Sequence, residues 1–345
     1  MGITHLSGLE VAGVPTMGMS GLPLTTGNIY FADYVNGNDG NTGAADSPMK
    51  TLYGVHARMT AGQNDVCVIV GDGSTTGTQR LSLANAQVLV PAATAGTLVW
   101  SKNACHIVGM ASPTRAAQRA RIAPPSGTYT AATFGAATFV SVTAQGCIFS
   151  NFSTFPGFST GDAAMLGWVD SGGRNYYNNV QIGGFADAAS AAGTAARAMV
   201  ITGVNGENTF VNCTIGLDTV TRSVANATLE LAGGTPRNTF VDCIFPMLTS
   251  AATAVSIVAT AASAIDRWSL FKGCLFVNDM STGGTAQTVI VSMGSASPGG
   301  LLAMDNCWFI GDANTNWGDT NALANMYVTG ATPTTSGNGI GIKPS

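Results

Sequence analysis

Few residues in this chain could do chemistry. Its 345 residues include three histidines, His5, His56 and His106, and seven cysteines, and charged side chains make up only 9% of the total. A nucleophile-and-base arrangement needs a histidine beside a serine or cysteine. The one adjacent pair, Cys105 and His106, lies on an apolar run that reads as a strand, so the two side chains face opposite ways. No Cys-x-x-Cys spacing occurs, so neither a metal site nor a cofactor is expected. "GDGSTTGTQR", from Gly71, follows a strand but lacks the Lys-Ser/Thr ending of a phosphate loop. Three carboxylates are left, Asp218, Asp279 and Asp312, each five residues after a recurring position described below. Two carboxyl groups about 5 to 9 Å apart can act as acid and base, or acid and nucleophile, on a glycosidic bond. Asp279 and Asp312 are the candidates for such a pair. Each also opens a loop, where Asp is a common turn residue, and the turn role is the one expected; glycan cleavage is the alternative.

Charge narrows the possibilities further. Formal net charge is −4 with fourteen Lys and Arg, so nucleic acid has no basic footprint to bind. The only basic cluster is Arg115, Arg119 and Arg121 in "SPTRAAQRARIAPP", expected as a solvated loop or as a contact to an acidic patch on a neighbouring protein. "AATAVSIVATAASAI", from Ala251, is the longest weakly polar stretch, and it falls short of the roughly 18–20 apolar residues of a spanning helix, so no membrane partner is expected. The N-terminus lacks a basic start followed by a continuous apolar segment, so no secretory signal is expected and the thiols should stay reduced.

The elements that must position these residues come from a repeat. "NTFVNCTIG", from Asn208, recurs as "NTFVDCIFP", from Asn238. Cys213, Cys243, Cys274 and Cys307 follow one another at 30 to 33 residues, and backward steps of 33 reach Val180 and Cys147. Cys67 and Cys105 fit as two earlier, looser copies, giving eight. Before the anchors stand Gly146, Asn179, Asn212, Asp242, Gly273 and Asn306, residue types that tolerate positive φ and so allow a one-residue bend between two strands. A further apolar strand lies between successive anchors, as in "AMVIT" and "ATLEL". Three short strands per repeat give an all-β fold, a single right-handed parallel β-helix of about eight coils, with equivalent residues stacked about 4.8 Å apart. The interior ladder is then Cys147, Val180, Cys213, Cys243, Cys274 and Cys307, with cysteine serving as a small apolar filler.

A solenoid must cover its ends. Residues 29–62 supply a strand, a Gly/Asn/Asp turn and a short helix. Here the chain resembles the N-terminal module of pectate-lyase-like β-helix proteins, particularly those of phage tailspikes and other virion proteins, through Tyr34, Val35, Gly37, Asn38, Asp39, Asn41, Gly43, Pro48, Thr51 and Leu52. "NGNDGN" has no Glu at the twelfth position of a calcium loop, so it reads as a turn. The organisation expected is an extended N-terminal arm over 1–28, a cap over 29–62, the β-helix over 63–330 and a tail over 331–345. The arm carries Leu6, Leu9, Val11, Val14, Met17, Met19 and Leu22 among glycines and has no core of its own, so a partner is expected to hold it. The resemblance implies a non-enzymatic structural protein of a phage particle, most concretely a capsid decoration or cement protein. It would be assembled in the host cytoplasm, bind the major capsid protein or other virion proteins through arm and loops, and form a homotrimer. A tail-associated depolymerase or a receptor-binding tailspike module is the alternative.

Overall fold

A computed structural model describes residues 26–71, 96–110, 114–115, 120–124, 130–131, 137–279, 284–295, 297–311 and 317–329, together with the backbone of four short strands outside them. Three parallel sheets run the length of the chain, with seven, ten and nine strands. One coil shows the order: Arg197–Ile201 in the seven-stranded sheet, Thr209–Val211 in the ten-stranded sheet, then Thr214–Ile215 in the nine-stranded sheet. The architecture is a parallel β-solenoid of about six turns, fewer than the eight counted from cysteine spacing.

Two corners of each coil are written by left-handed residues. Between the ten- and nine-stranded sheets stand Asn151, Asn179, Asn212, Asp242, Gly273 and Asn306, with φ between 51° and 62°. At the preceding corner stand Asn64, Ala104, Gly146, Arg174, Glu207, Arg237 and Arg267, with φ between 50° and 68°. A single residue near +55° turns the chain without consuming a loop; at Arg237 the turn comes with a shift of register against the next coil.

The interior is built of vertical columns. Tyr177, Phe210, Phe240 and Phe271 pair coil to coil, and their rings stack with centroids 4.4, 4.6 and 4.5 Å apart. That separation follows from the strand spacing, so each ring meets its neighbour face to face at no cost in backbone geometry. In the nine-stranded sheet the main-chain bonds Thr214 to Val180, Ile244 to Cys213, Leu275 to Cys243 and Trp308 to Cys274 align Val180, Cys213, Cys243, Cys274 and Cys307 as one column. All seven cysteines are unpaired and six are fully buried. Burial pushes the Cys243 thiol well above its ordinary range, which suits a filler and not a nucleophile.

Cys147 does not belong to that column. The main-chain bonds Gln181 to Phe152 and Ser153 to Ala120 put Phe152 and Ala120 beneath Val180. Cys147 lies one corner earlier, aligned with Cys105 through the pairing of Phe149 with Ile107. Cys67 sits in the aromatic column, paired with Tyr30 and Ile107. The reason is coil length: 28 residues separate Phe152 from Val180, so a backward step of 33 overshoots into the preceding sheet. Gly146 likewise bends the chain at the earlier corner.

Short helices stand near both ends of the described coils. Thr51 caps the helix Leu52–Arg58 by accepting from the Gly54 amide, and Leu52 and Val55 bury against the first coil. Asp39 takes the amides of Lys50 and Thr51 and the Thr51 hydroxyl, so "NGNDGN" is a turn that presents the helix. At the other end Asp319 caps the helix Thr320–Asn325. The backbone of the N-terminal segment folds back as the antiparallel strands Glu10–Val11, Val14–Met17 and Leu22–Pro23, in place of one extended run.

Candidate functional site

The outer faces of the three sheets differ in chemistry. On the outward side of the seven-stranded sheet Val99 is exposed while Val200 and Val258 are covered, and the Arg197–Glu230 pair at 2.8 Å is its charged feature among the described residues. The nine-stranded sheet ends in exposed Trp308 and Ile310. The ten-stranded sheet carries a run of accessible polar groups, with Asn178, Thr209, Thr239, Lys272 and Asp305 on its outer side.

One edge of that face is a charged ridge. Arg174, Glu207 and Arg237 occupy consecutive coils. Arg174 Nε donates to Glu207 Oε2 at 3.0 Å and Arg237 Nη1 donates to Glu207 Oε1 at 2.8 Å. The hydrogen bonds from Arg174 and then Arg237 hold the Glu207 carboxyl below the usual range. On the next coil Arg267 faces Asp266 at 3.6 Å, and Trp268 beside it is 40% exposed. Arg174, Glu207, Arg237 and Arg267 all have positive φ. Bulky side chains in that region cost about 1–2 kcal/mol each, and strain of this kind gathers at functional sites.

The other edge is the asparagine corner, which carries Asp242, Lys272 and Asp305 on or beside it. Val241, Lys272 and Asp305 are aligned on three successive coils, and Asp242 follows Val241. A Cβ placed on Gly273 would stand 2.4 Å from Asp242 Oδ1, so the carboxylate leans over the next coil into the space this glycine leaves. Asp305 Oδ1 accepts from the Thr329 hydroxyl at 2.7 Å. Two coils span about 10 Å, so Asp242 and Asp305 are separated by one intervening coil, which carries Lys272. Arg115 also arrives here, its guanidinium donating to the main-chain oxygen of Asp242.

The sequence candidates are scattered by comparison. Asp218 is exposed on the strand Leu217–Arg222. Asp279 follows the strand Leu275–Asn278, its amide bonded to the Met247 carbonyl. Asp312 lies outside the described residues, as do Leu6, Leu9, Met19 and Arg119; for Val11, Val14, Met17 and Leu22 the backbone alone is described. Arg121 is separated from Arg115, bonded through Nε to Ser153 Oγ at 3.4 Å and lying over the Phe155 ring. The ridge was missed although its spacing is that of the cysteines: Arg174, Glu207 and Arg237 each stand six residues before Val180, Cys213 and Cys243.

No protein-family model matches this chain, and no curated protein matches it. Several solved structures share the coiled fold. Pectin methylesterase PemA from Erwinia chrysanthemi aligns over 90% of this chain and 92% of its own, at 12% identity and a TM-score of 0.49. Pectate lyase Pel9A aligns over 86% and 79%, at 12% identity and a TM-score of 0.47. The tailspike protein gp49 of Acinetobacter baumannii bacteriophage Fri1, a capsular polysaccharide depolymerase, aligns over 78% of this chain and 52% of its own, at 12% identity and a TM-score of 0.35. These are likenesses of fold, that of pectate-lyase-like β-helices. They correct the expectation of a non-enzymatic protein: the chains built this way are named as an esterase, a lyase and a depolymerase, so the β-helix fold is no ground for excluding catalysis.

Proposed function

We propose that this protein binds and cleaves a polysaccharide across the outer face of the ten-stranded sheet. The observation that carries this is the pair Asp242 and Asp305 on an accessible face, flanking Lys272, with Asp242 seated in the space over Gly273. One of the two carboxyl groups gives a proton to the leaving glycosidic oxygen and the other takes a proton from the water that attacks the sugar carbon; the Thr329 bond orients Asp305. Lys272, on the coil between them, is a donor for sugar hydroxyl or carboxylate oxygens. Attachment to a virion, which the N-terminal resemblance implies, would make this a tail-associated depolymerase.

The test is release of reducing ends from a panel of bacterial and plant polysaccharides. Asp242→Asn and Asp305→Asn should each lower the rate about 10²- to 10⁴-fold, the usual weight of a positioned acid or base, while Asp279→Asn should leave it within a factor of two. Full activity in both of the first two variants would place the chemistry elsewhere.

A further inference from the structure

We infer that the Arg174–Glu207–Arg237 ridge selects a glycan bearing a carboxylate on every second sugar. This rests on the glycan reading above and adds the charge pattern of the substrate. The backbones of the two arginines lie two coils apart, about 10 Å; their heads turn toward Glu207 on the intervening coil, and their free edges point away from it on either side. An extended pyranose chain advances by about one coil spacing per sugar, so each arginine meets alternate sugars of a polymer laid along the ridge.

Each arginine gives one nitrogen to Glu207 and keeps the rest of its fork for a ligand, since a guanidinium has five N–H donors and no acceptor. Their side chains are 58% and 45% exposed, so the free edges face solvent. The planar fork matches a carboxylate in two parallel bonds. Glu207 repels a carboxylate on the intermediate sugar, and discrimination commonly rests on such a repulsive element as well as an attractive one. On the fourth coil the Asp266–Arg267 pair offers no net charge, and the exposed Trp268 gives a ring face for an uncharged sugar. Along the axis the surface therefore reads cation, anion, cation, ring. The sign alternation recurs at the left-handed corner, where glycine or asparagine would cost less, so the charges sit there against backbone preference.

Binding of three polymers of equal length to the full chain tests this by calorimetry: hyaluronate with a carboxylate on alternate sugars, polygalacturonate with one on each, and neutral dextran. Hyaluronate should bind at least about tenfold tighter than either. Arg174→Gln and Arg237→Gln should each weaken it about tenfold or more, the weight of a charged hydrogen bond. Glu207→Gln should raise polygalacturonate affinity until the preference is lost. Circular dichroism and unchanged melting of the variants separate a lost ligand from a lost fold. Equal affinity for the three polymers, no binding of any, or silent arginine variants would overturn the inference. Cleavage of a neutral glycan that depends on Asp242 and Asp305 but not on the arginines would overturn it while leaving the proposed function intact.

Discussion

Asn208 presents its side-chain oxygen to the backbone N–H of Asn175 on the neighbouring coil at 2.9 Å, and its own N–H bonds the side-chain oxygen of Asn238 at 3.2 Å. Asn175 in turn accepts from the Cys147 amide at 2.9 Å. This buried ladder satisfies corner amides that the strand pairing leaves over. Asn208→Ala strands the Asn175 N–H in the interior, and an unpaired buried donor costs about 1–3 kcal/mol. Urea denaturation should show that loss as a lower midpoint with unchanged slope.

Arg222 is fully buried, lies 4.0 Å from the centre of the Phe185 ring, and bonds only Thr228 Oγ1 through Nη2. Its Nε and Nη1 have no partner among the described residues. Burial, with Arg197 nearby, pulls its pKa down to about 9. A base whose folded pKa lies below its unfolded value opposes folding throughout the range below about 9, and the penalty fades as pH rises toward the unfolded value. Arg222→Met should therefore be neutral or stabilising by about 1–4 kcal/mol at pH 7. A clear drop in the unfolding midpoint would contradict this.

Asp170 lies in the core, accepting from the Tyr177 hydroxyl at 2.5 Å and from Asn175 Nδ2 and the Gly173 amide at 3.0 Å each. Desolvation raises its pKa despite those donors. With the folded value above the unfolded one, its contribution is full below the unfolded carboxyl range and is lost as pH rises through the folded value. Asp170→Asn cannot titrate, so the stability of the natural protein relative to the variant should rise on acidification. A pH series of melting curves for the pair checks the sign.

Gly273 has φ of 62°, and an added methyl would meet the Asp242 carboxylate at 2.4 Å. Gly273→Ala should cost about 1–2 kcal/mol for the left-handed backbone and displace Asp242 as well. Glycan cleavage should fall well beyond what the stability change explains. Asn212→Ala, at the same corner on the coil before Asp242 with φ of 54° and outside the Asp242, Lys272 and Asp305 group, is the control.

The sequence carried the architecture because the interior demands it. Stacked coils force Val180, Cys213, Cys243, Cys274 and Cys307 into one slot, and a slot of fixed size repeats its residue type. Cys147 was misplaced because its coil is short, and a fixed step cannot sense a shortened loop. The ridge was readable in principle, since Arg174, Glu207 and Arg237 keep the cysteine period, but charged residues draw notice by clustering along the chain and these stand thirty positions apart. Asp242, Lys272 and Asp305 were not readable as a group. Their place on one face depends on the register of three coils, and the lean of Asp242 on the side chain Gly273 lacks, neither of which leaves a pattern in the letters.

A structure determined with a bound oligosaccharide product tests the central claim most directly. Sugar density over the ten-stranded sheet, between Arg237 and Asp242 and touching Lys272, is the predicted result. Density instead on the outer face of the seven-stranded sheet, against Val200 and Glu230, would contradict it.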